Sequence, residues 1–194
     1  MKRVFGDDTA FLNESTFSDT NLLDRCVVEI RPFLVRHPEI LVYGKMCQPK
    51  RNTCFFSDES SGYKYSGNKV GSAPLTNSLR KLIFEVNQLV GSSFNGILVN
   101  EYLDGSDYIG AHSDDETGLD PVGVVSVSYG AERNFRIRNR TGENSGKVAF
   151  EIPTAHGAVL HMGGEFQKLY THEIPVQKKI SGTRISFTFR RHRN

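Results

Sequence analysis

His112 and Asp114 stand on either side of one serine in the segment Asp107-Tyr-Ile-Gly-Ala-His-Ser-Asp-Asp-Glu116. Taken alone, His-x-Asp most often marks an acidic surface turn. On an extended strand, however, side chains two residues apart point to one side, so His112 and Asp114 can aim at one point while Ser113 turns away. An imidazole and a carboxylate aimed together are two ligands for a metal ion, and a third is required. His156, at a strand entrance, and His161, within an apolar strand, suit structural roles better. His172, beyond the Gly163-Gly164 pair, is the stronger candidate. Two imidazoles and one carboxylate leave three positions of an octahedral metal open, the arrangement associated with non-haem Fe(II) oxygenases. Zinc is the alternative, and it makes less sense of the arginines that follow.

Arg184 and Arg190 are separated by an even number of residues, which on a strand puts both guanidiniums on one face. Guanidinium forks match carboxylates in bidentate fashion. The pair therefore suits a dicarboxylate cosubstrate that chelates the metal at its other end. Without the metal set, arginines on a solvent face would be the better reading.

The elements that must position these residues follow from periodicity. In residues 74–90, Leu75, Leu79, Leu82, Ile83, Val86 and Val90 recur at spacings of three and four and stop at Gly91, which predicts an amphipathic helix. Beyond it the pattern shortens to a period of two. Segments 97–102, 122–129, 134–138, 147–152, 157–162 and 184–190 read as strands separated by glycine-bearing breaks. Many short strands behind a helix predict a mainly β fold with flanking helices, a sandwich or jelly roll whose mouth holds the site. Residues 1–20 are polar, with Phe5, Phe11 and Phe17 interspersed, and are expected to form a loosely held N-terminal arm.

Composition sets the outer limits. A chain of 194 residues with 38% hydrophobic side chains suits one domain, here residues 21–194, with a core and an internal pocket. The net charge of +2 does not announce a nucleic-acid binder, although Arg190-Arg-His-Arg193 concentrates positive charge at one end. Three cysteines form no CxxC pair, which suggests reduced thiols inside a cell. No leader peptide and no membrane span is read, and a monomer is expected.

Together these motifs resemble the AlkB family of Fe(II)- and 2-oxoglutarate-dependent dioxygenases. The resemblance rests on Asn100-x-Tyr102, Asp104-Gly105, Gly110-x-His112-x-Asp114, Ala155-His-Gly157, His172 and Arg184-x5-Arg190, and it extends from about Val42 to Arg190. It is greatest to the nuclear homologues that repair alkylated duplex DNA. It implies a double-stranded β-helix, or jelly-roll, core over residues 95–190, with residues 21–90 forming helices and a nucleotide-recognition lid. It implies Fe(II) on His112, Asp114 and His172. Arg184 and Tyr102 would meet the distal carboxylate of 2-oxoglutarate, Asn100 and Arg190 its metal-bound end, with Thr188 assisting. The implied reaction uses O2 to hydroxylate an N-methyl group of a base such as 1-methyladenine or 3-methylcytosine. Formaldehyde is released and 2-oxoglutarate becomes succinate and CO2.

Methylation of a Watson–Crick ring nitrogen leaves the base cationic, so its pocket should offer negative charge and aromatic faces. Asp115 and Glu116 supply the charge; Tyr63 and Tyr65 supply the rings, and the resemblance stacks Tyr65 on the flipped base with Tyr63 near its edge. Extracting a base from a duplex costs a few kcal/mol, which an intercalated ring partly offsets. Tyr43, beside Gly44, matches the family's wedge position. Lys45, Lys50, Arg51 and Lys64 are candidates for phosphate contacts. DNA is the expected partner, with RNA demethylation or damaged-base binding without turnover as alternatives. The family type implies nuclear residence, or a cytoplasmic one in a virus or bacterium.

Overall fold

Alternation along residues 184–190 explains how the layers stack. Ile185, Phe187 and Phe189 point to one side of their strand into an apolar core, while Arg184, Ser186, Thr188 and Arg190 point to the other and are buried as well. The apolar face packs under the helices, and the polar face lines a cavity shared with Leu98, Phe135, Met162 and Ile174.

The computed structural model describes residues 1–42, 45–60, 62–65, 68–115 and 122–192, with the side chains of 40–42, 45, 63–65 and 68–70 left out. Among these residues the larger sheet has eight strands. Their order is β1 (Lys2–Gly6), β2 (Ala10–Thr16), β14 (Ala158–Gly164), β11 (Val124–Gly130), β16 (Arg184–Arg190), β9 (Gly96–Tyr102), β5 (Asn52–Phe56) and β8 (Ser72–Ala73). The smaller sheet has four, in the order β10 (Ile109–His112), β15 (Tyr170–Ile174), β12 (Arg133–Asn139) and β13 (Val148–Thr154). Two further antiparallel pairs join β3 (Ile40–Val42) to β4 (Lys45–Cys47) and β6 (Tyr63–Tyr65) to β7 (Asn68–Val70). Two sheets facing each other, with helices on the outer face of the larger, form the expected jelly-roll core.

Helices α1 (Thr20–Ile30) and α2 (Asn77–Val90) cover that outer face. Asp19 caps α1 by accepting from the Leu22 N–H at 2.9 Å, and Thr76 caps α2 at Leu79. α2 stops at Gly91, whose φ of 67° is the left-handed conformation that glycine adopts without strain. Leu22, Leu23, Cys26, Val27 and Ile30 meet Leu79, Leu82, Ile83 and Val86 over the sheet. Each fully buried leucine or isoleucine among them contributes roughly 1.5–3 kcal/mol. The expected helix therefore forms, starting at Asn77, three residues after the expected start at Pro74. None of the described helices is long and apolar enough to cross a membrane.

Residues 1–20 are not a loose arm; that expectation is corrected. β2 pairs with β14 along its whole length, from Thr16 opposite Ala158 to Ala10 opposite Gly164. Leu12 is fully buried between the sheets, and Phe5 stacks on Phe150 at 5.2 Å and meets the edge of Tyr170 at 5.1 Å. The segment looks polar because only alternate residues of a one-sided strand need be apolar.

Candidate metal centre

β10 and β15 run antiparallel with His112 directly opposite His172, and the two imidazole centroids lie 4.3 Å apart. β10 ends at His112, so Asp114 does not reach the site by strand alternation as the spacing predicts. Instead the chain leaves the sheet at Ser113, whose hydroxyl donates to the Tyr170 carbonyl at 2.8 Å. The Asp114 N–H then donates to Gln167 Oε1 at 2.9 Å. This brings Asp114 Oδ1 to 3.8 Å from His112 Nε2 and Oδ2 to 3.7 Å from His172 Nε2. One donor atom from each residue lies within 4.8 Å of the others, the separation expected of side chains that share one cation.

Electrostatics puts all three in the protonation states a metal requires. Burial, reinforced by His112 and Arg190, pushes the His172 imidazole down to about 3. Burial also lowers that of His112. For Asp114, burial alone would raise the carboxyl; Arg190, the two histidines and Arg51 overcome it and hold the group below its usual range. Arg190 Nη2 donates to Asp114 Oδ1 at 2.5 Å. The result is two neutral imidazoles and one carboxylate. His112 Nδ1 bonds the Gly110 carbonyl at 2.9 Å, which leaves Nε2 for the metal.

The three donors line one cavity. Arg184 lines the same cavity and is 2% exposed. Its Nη2 donates to Ser128 Oγ at 3.0 Å, and its guanidinium lies 5.4 Å from the centre of the Tyr102 ring. Nε and Nη1 are buried with no hydrogen-bond partner among the described residues. Burial lowers the guanidinium to about 10, so it stays charged at neutral pH. A buried cation with two idle donors is costly unless an anion completes it. The carboxylate at the far end of a metal-chelating dicarboxylate is such an anion. Residues and cosubstrate fit.

The 2OG-Fe(II) oxygenase superfamily matches this sequence over residues 11–190. The chain is 31% identical over 170 residues to the mouse DNA oxidative demethylase ALKBH2, covering 84% of this chain and 70% of that protein. The chain belongs to this superfamily, within its AlkB family. The human DNA oxidative demethylase ALKBH2 is 33% identical over 168 residues and its Arabidopsis thaliana counterpart 32% over 179 residues. These matches cover 84% and 79% of this chain but only 64% and 56% of those two proteins. The solved structure titled "The structure of OsALKBH1" superimposes with a TM-score of 0.60 at 17% identity, covering 98% of this chain and 100% of that one; it supports the fold.

Within this AlkB-family site, Asn100 and Thr188 also line the cavity, beside Arg190. Arg51, expected at a phosphate, is instead 7% exposed and points into the cavity, where its Nε donates to Asn100 Oδ1 at 2.9 Å. Asp115 is half exposed and pairs with Arg140 at 2.7 Å. Tyr63 and Tyr65 lie on β6, where only the backbone is described; Tyr43 and Glu116 lie outside the described residues. His156 accepts from the Gly130 N–H, and His161 bonds the Val122 carbonyl at 2.7 Å, both in structural roles.

Sequence reasoning missed two residues here. Arg133 has no exposed surface and donates to the carbonyls of Asp104, Asp107 and Pro175 at 2.7–2.9 Å, tying the segment after β9 to the end of β15. Its signal was its phase: Arg133 shares the inward parity of Phe135 and Ile137. Gln167, on the short helix α3 (Phe166–Leu169), has no comparable signal.

Proposed function

We propose that this protein is an oxidative demethylase of N-alkylated DNA bases, dependent on Fe(II) and 2-oxoglutarate. The observation that carries this reading is the convergence of His112, Asp114 and His172 in the wall of a cavity that is also lined by the incompletely bonded Arg184. The similarity to DNA oxidative demethylases supports DNA as the substrate.

When bound, Fe(II) and 2-oxoglutarate supply the oxidation: O2 is consumed, the keto acid loses CO2 to give succinate, and the methyl carbon of the base is hydroxylated. The residues hold the reactants. His112, Asp114 and His172 would hold the ion through two imidazoles and one carboxylate, a set of three that leaves coordination positions for cosubstrate and O2. Arg184 takes the distal carboxylate with Tyr102 beside it, which fixes which end of the dicarboxylate reaches the metal. Asn100, Thr188 and Arg190 flank the metal-bound end, where Arg190 also restrains Asp114. By the family resemblance, Glu116 and Asp115, the latter paired with Arg140, would supply negative charge for the cationic alkylated base, Tyr63 and Tyr65 its aromatic faces, and Tyr43 the wedge in the duplex. The hydroxymethyl product sheds formaldehyde, and the strand is never cut.

The test is mass spectrometry of oligodeoxynucleotides carrying 1-methyladenine or 3-methylcytosine, incubated with protein and Fe(II), with and without 2-oxoglutarate. Loss of the methyl group together with succinate, only when 2-oxoglutarate is present, is the expected result. Methyl loss that ignores 2-oxoglutarate, or none on either single or double strands, refutes the reading.

A further inference from the structure

Asp114 lies outside the strand ladder, so no sheet hydrogen bond fixes its backbone. What does hold it is a side chain 53 residues further along the chain: Gln167 Oε1 accepts the Asp114 N–H at 2.9 Å. The other arm of the same amide, Nε2, donates to Met162 Sδ at 3.5 Å, and Met162 is buried in the cavity wall. With its NH2 group engaged there, the amide can only present oxygen to Asp114; reversed, it would set donor against donor.

Gln167 is itself firmly seated. Its neighbour Phe166 is fully buried, with its ring 6.5 Å from that of His172. The Gln167 carbonyl accepts from Arg140 Nη1 at 2.7 Å, and Arg140 Nη2 pairs with Asp115 at 2.7 Å. Gln167 thus bonds the Asp114 peptide through its side chain and, through its carbonyl, the arginine that pairs with Asp115.

We propose that Gln167 is a positioning residue that sets the direction of the Asp114 carboxylate through its peptide N–H. The inference rests on the metal reading above. Arg190 holds the carboxylate and the Ser113 hydroxyl ties the preceding residue to the Tyr170 carbonyl, while Gln167 bonds the Asp114 peptide itself; without it that peptide can rotate and carry the oxygens out of the gap between the imidazoles. Groups that orient ligands in this way typically contribute about 10–100-fold to metal affinity.

The experiment is titration of the metal-free protein with Mn(II), followed by the electron paramagnetic resonance signal of the free ion, for wild type, Gln167→Leu and Gln167→Glu. Q167L removes the acceptor at similar volume, and about 10–100-fold weaker binding is expected. Q167E keeps an oxygen toward the N–H and recovers most of the affinity. Equal affinity in wild type and Q167L, or Q167E as weak as Q167L, overturns the proposal. Failure of the wild type to bind Mn(II) counts against the metal reading instead. In that case, or if Q167L does not fold, amide exchange of metal-free wild type decides: the Asp114 N–H should exchange at least about tenfold more slowly than in an unstructured peptide. Exchange at the peptide rate overturns the proposal.

Discussion

His172 faces His112 across two antiparallel strands, their ring centroids 4.3 Å apart, although sixty residues separate them in the chain. Cross-strand partners are the closest neighbours a sheet offers, so the register of β10 on β15 places both imidazoles with no help from local sequence. His112→Ala and Asp114→Ala are each expected to abolish demethylation while leaving oligonucleotide affinity largely unchanged. Turnover and binding assays on the same preparations check this; retained turnover in either variant contradicts the ligand assignment.

Arg184→Gln addresses the cosubstrate. Charge-assisted hydrogen bonds contribute about 1.5–3 kcal/mol each, so losing a bidentate contact should raise KM for 2-oxoglutarate by roughly a hundredfold or more. Mn(II) affinity in the absence of 2-oxoglutarate should not change. Steady-state kinetics over a range of 2-oxoglutarate concentrations gives the first number and metal titration the second.

Acid should destabilise the metal-free protein before ordinary carboxylates titrate. Between the ordinary histidine value of 6.5 and about 3, the unfolded chain binds a proton at His172 that the folded chain does not. Protons then favour the unfolded state, so stability falls as pH drops, by up to about 1.4 kcal/mol per unit for this one group. The depressed carboxyl of Asp114 acts in the same sense only below its ordinary 3.8: its contribution is intact above that value and is lost as pH falls through the folded one. Urea midpoints measured from pH 6.5 down to about 4 should decline in wild type and decline less steeply in His172→Phe, where the depressed His112, His161 and His192 keep the rest of the slope.

The amino-terminal hairpin is structural. Leu12→Ala should cost about 2–5 kcal/mol, because the side chain is fully buried between the sheets. A substitution at the exposed Phe84 to serine should stay within about 0.5 kcal/mol. Chemical denaturation of both variants separates a strand that belongs to the core from an arm that does not. Comparable small effects would restore the arm.

Much of the fold was readable because burial imposes a period. The alternation in residues 184–190 matches β16 residue for residue, and the three-and-four spacing of Leu79, Leu82, Ile83 and Val86 marks the buried face of α2. β2 escaped because a strand with one buried face needs few apolar residues. Arg51 misled because arginine near lysine suggests surface, whereas here it turns into the cavity against Asn100. Asp114 was correctly paired with His112 for an incorrect reason: a turn held by Ser113 and Gln167, rather than strand alternation, delivers it.

The donor set itself, two imidazoles, a carboxylate and a pair of arginines in phase, was determined by the sequence, since chemical type and strand parity are local properties. Their convergence was decided by tertiary structure. Strand register, the burial that keeps His172 neutral, and the reach of Gln167 and Arg133 to distant backbone all depend on contacts between segments far apart in the chain. No local pattern encodes such contacts, because their energy is gained only once the two sheets close on each other.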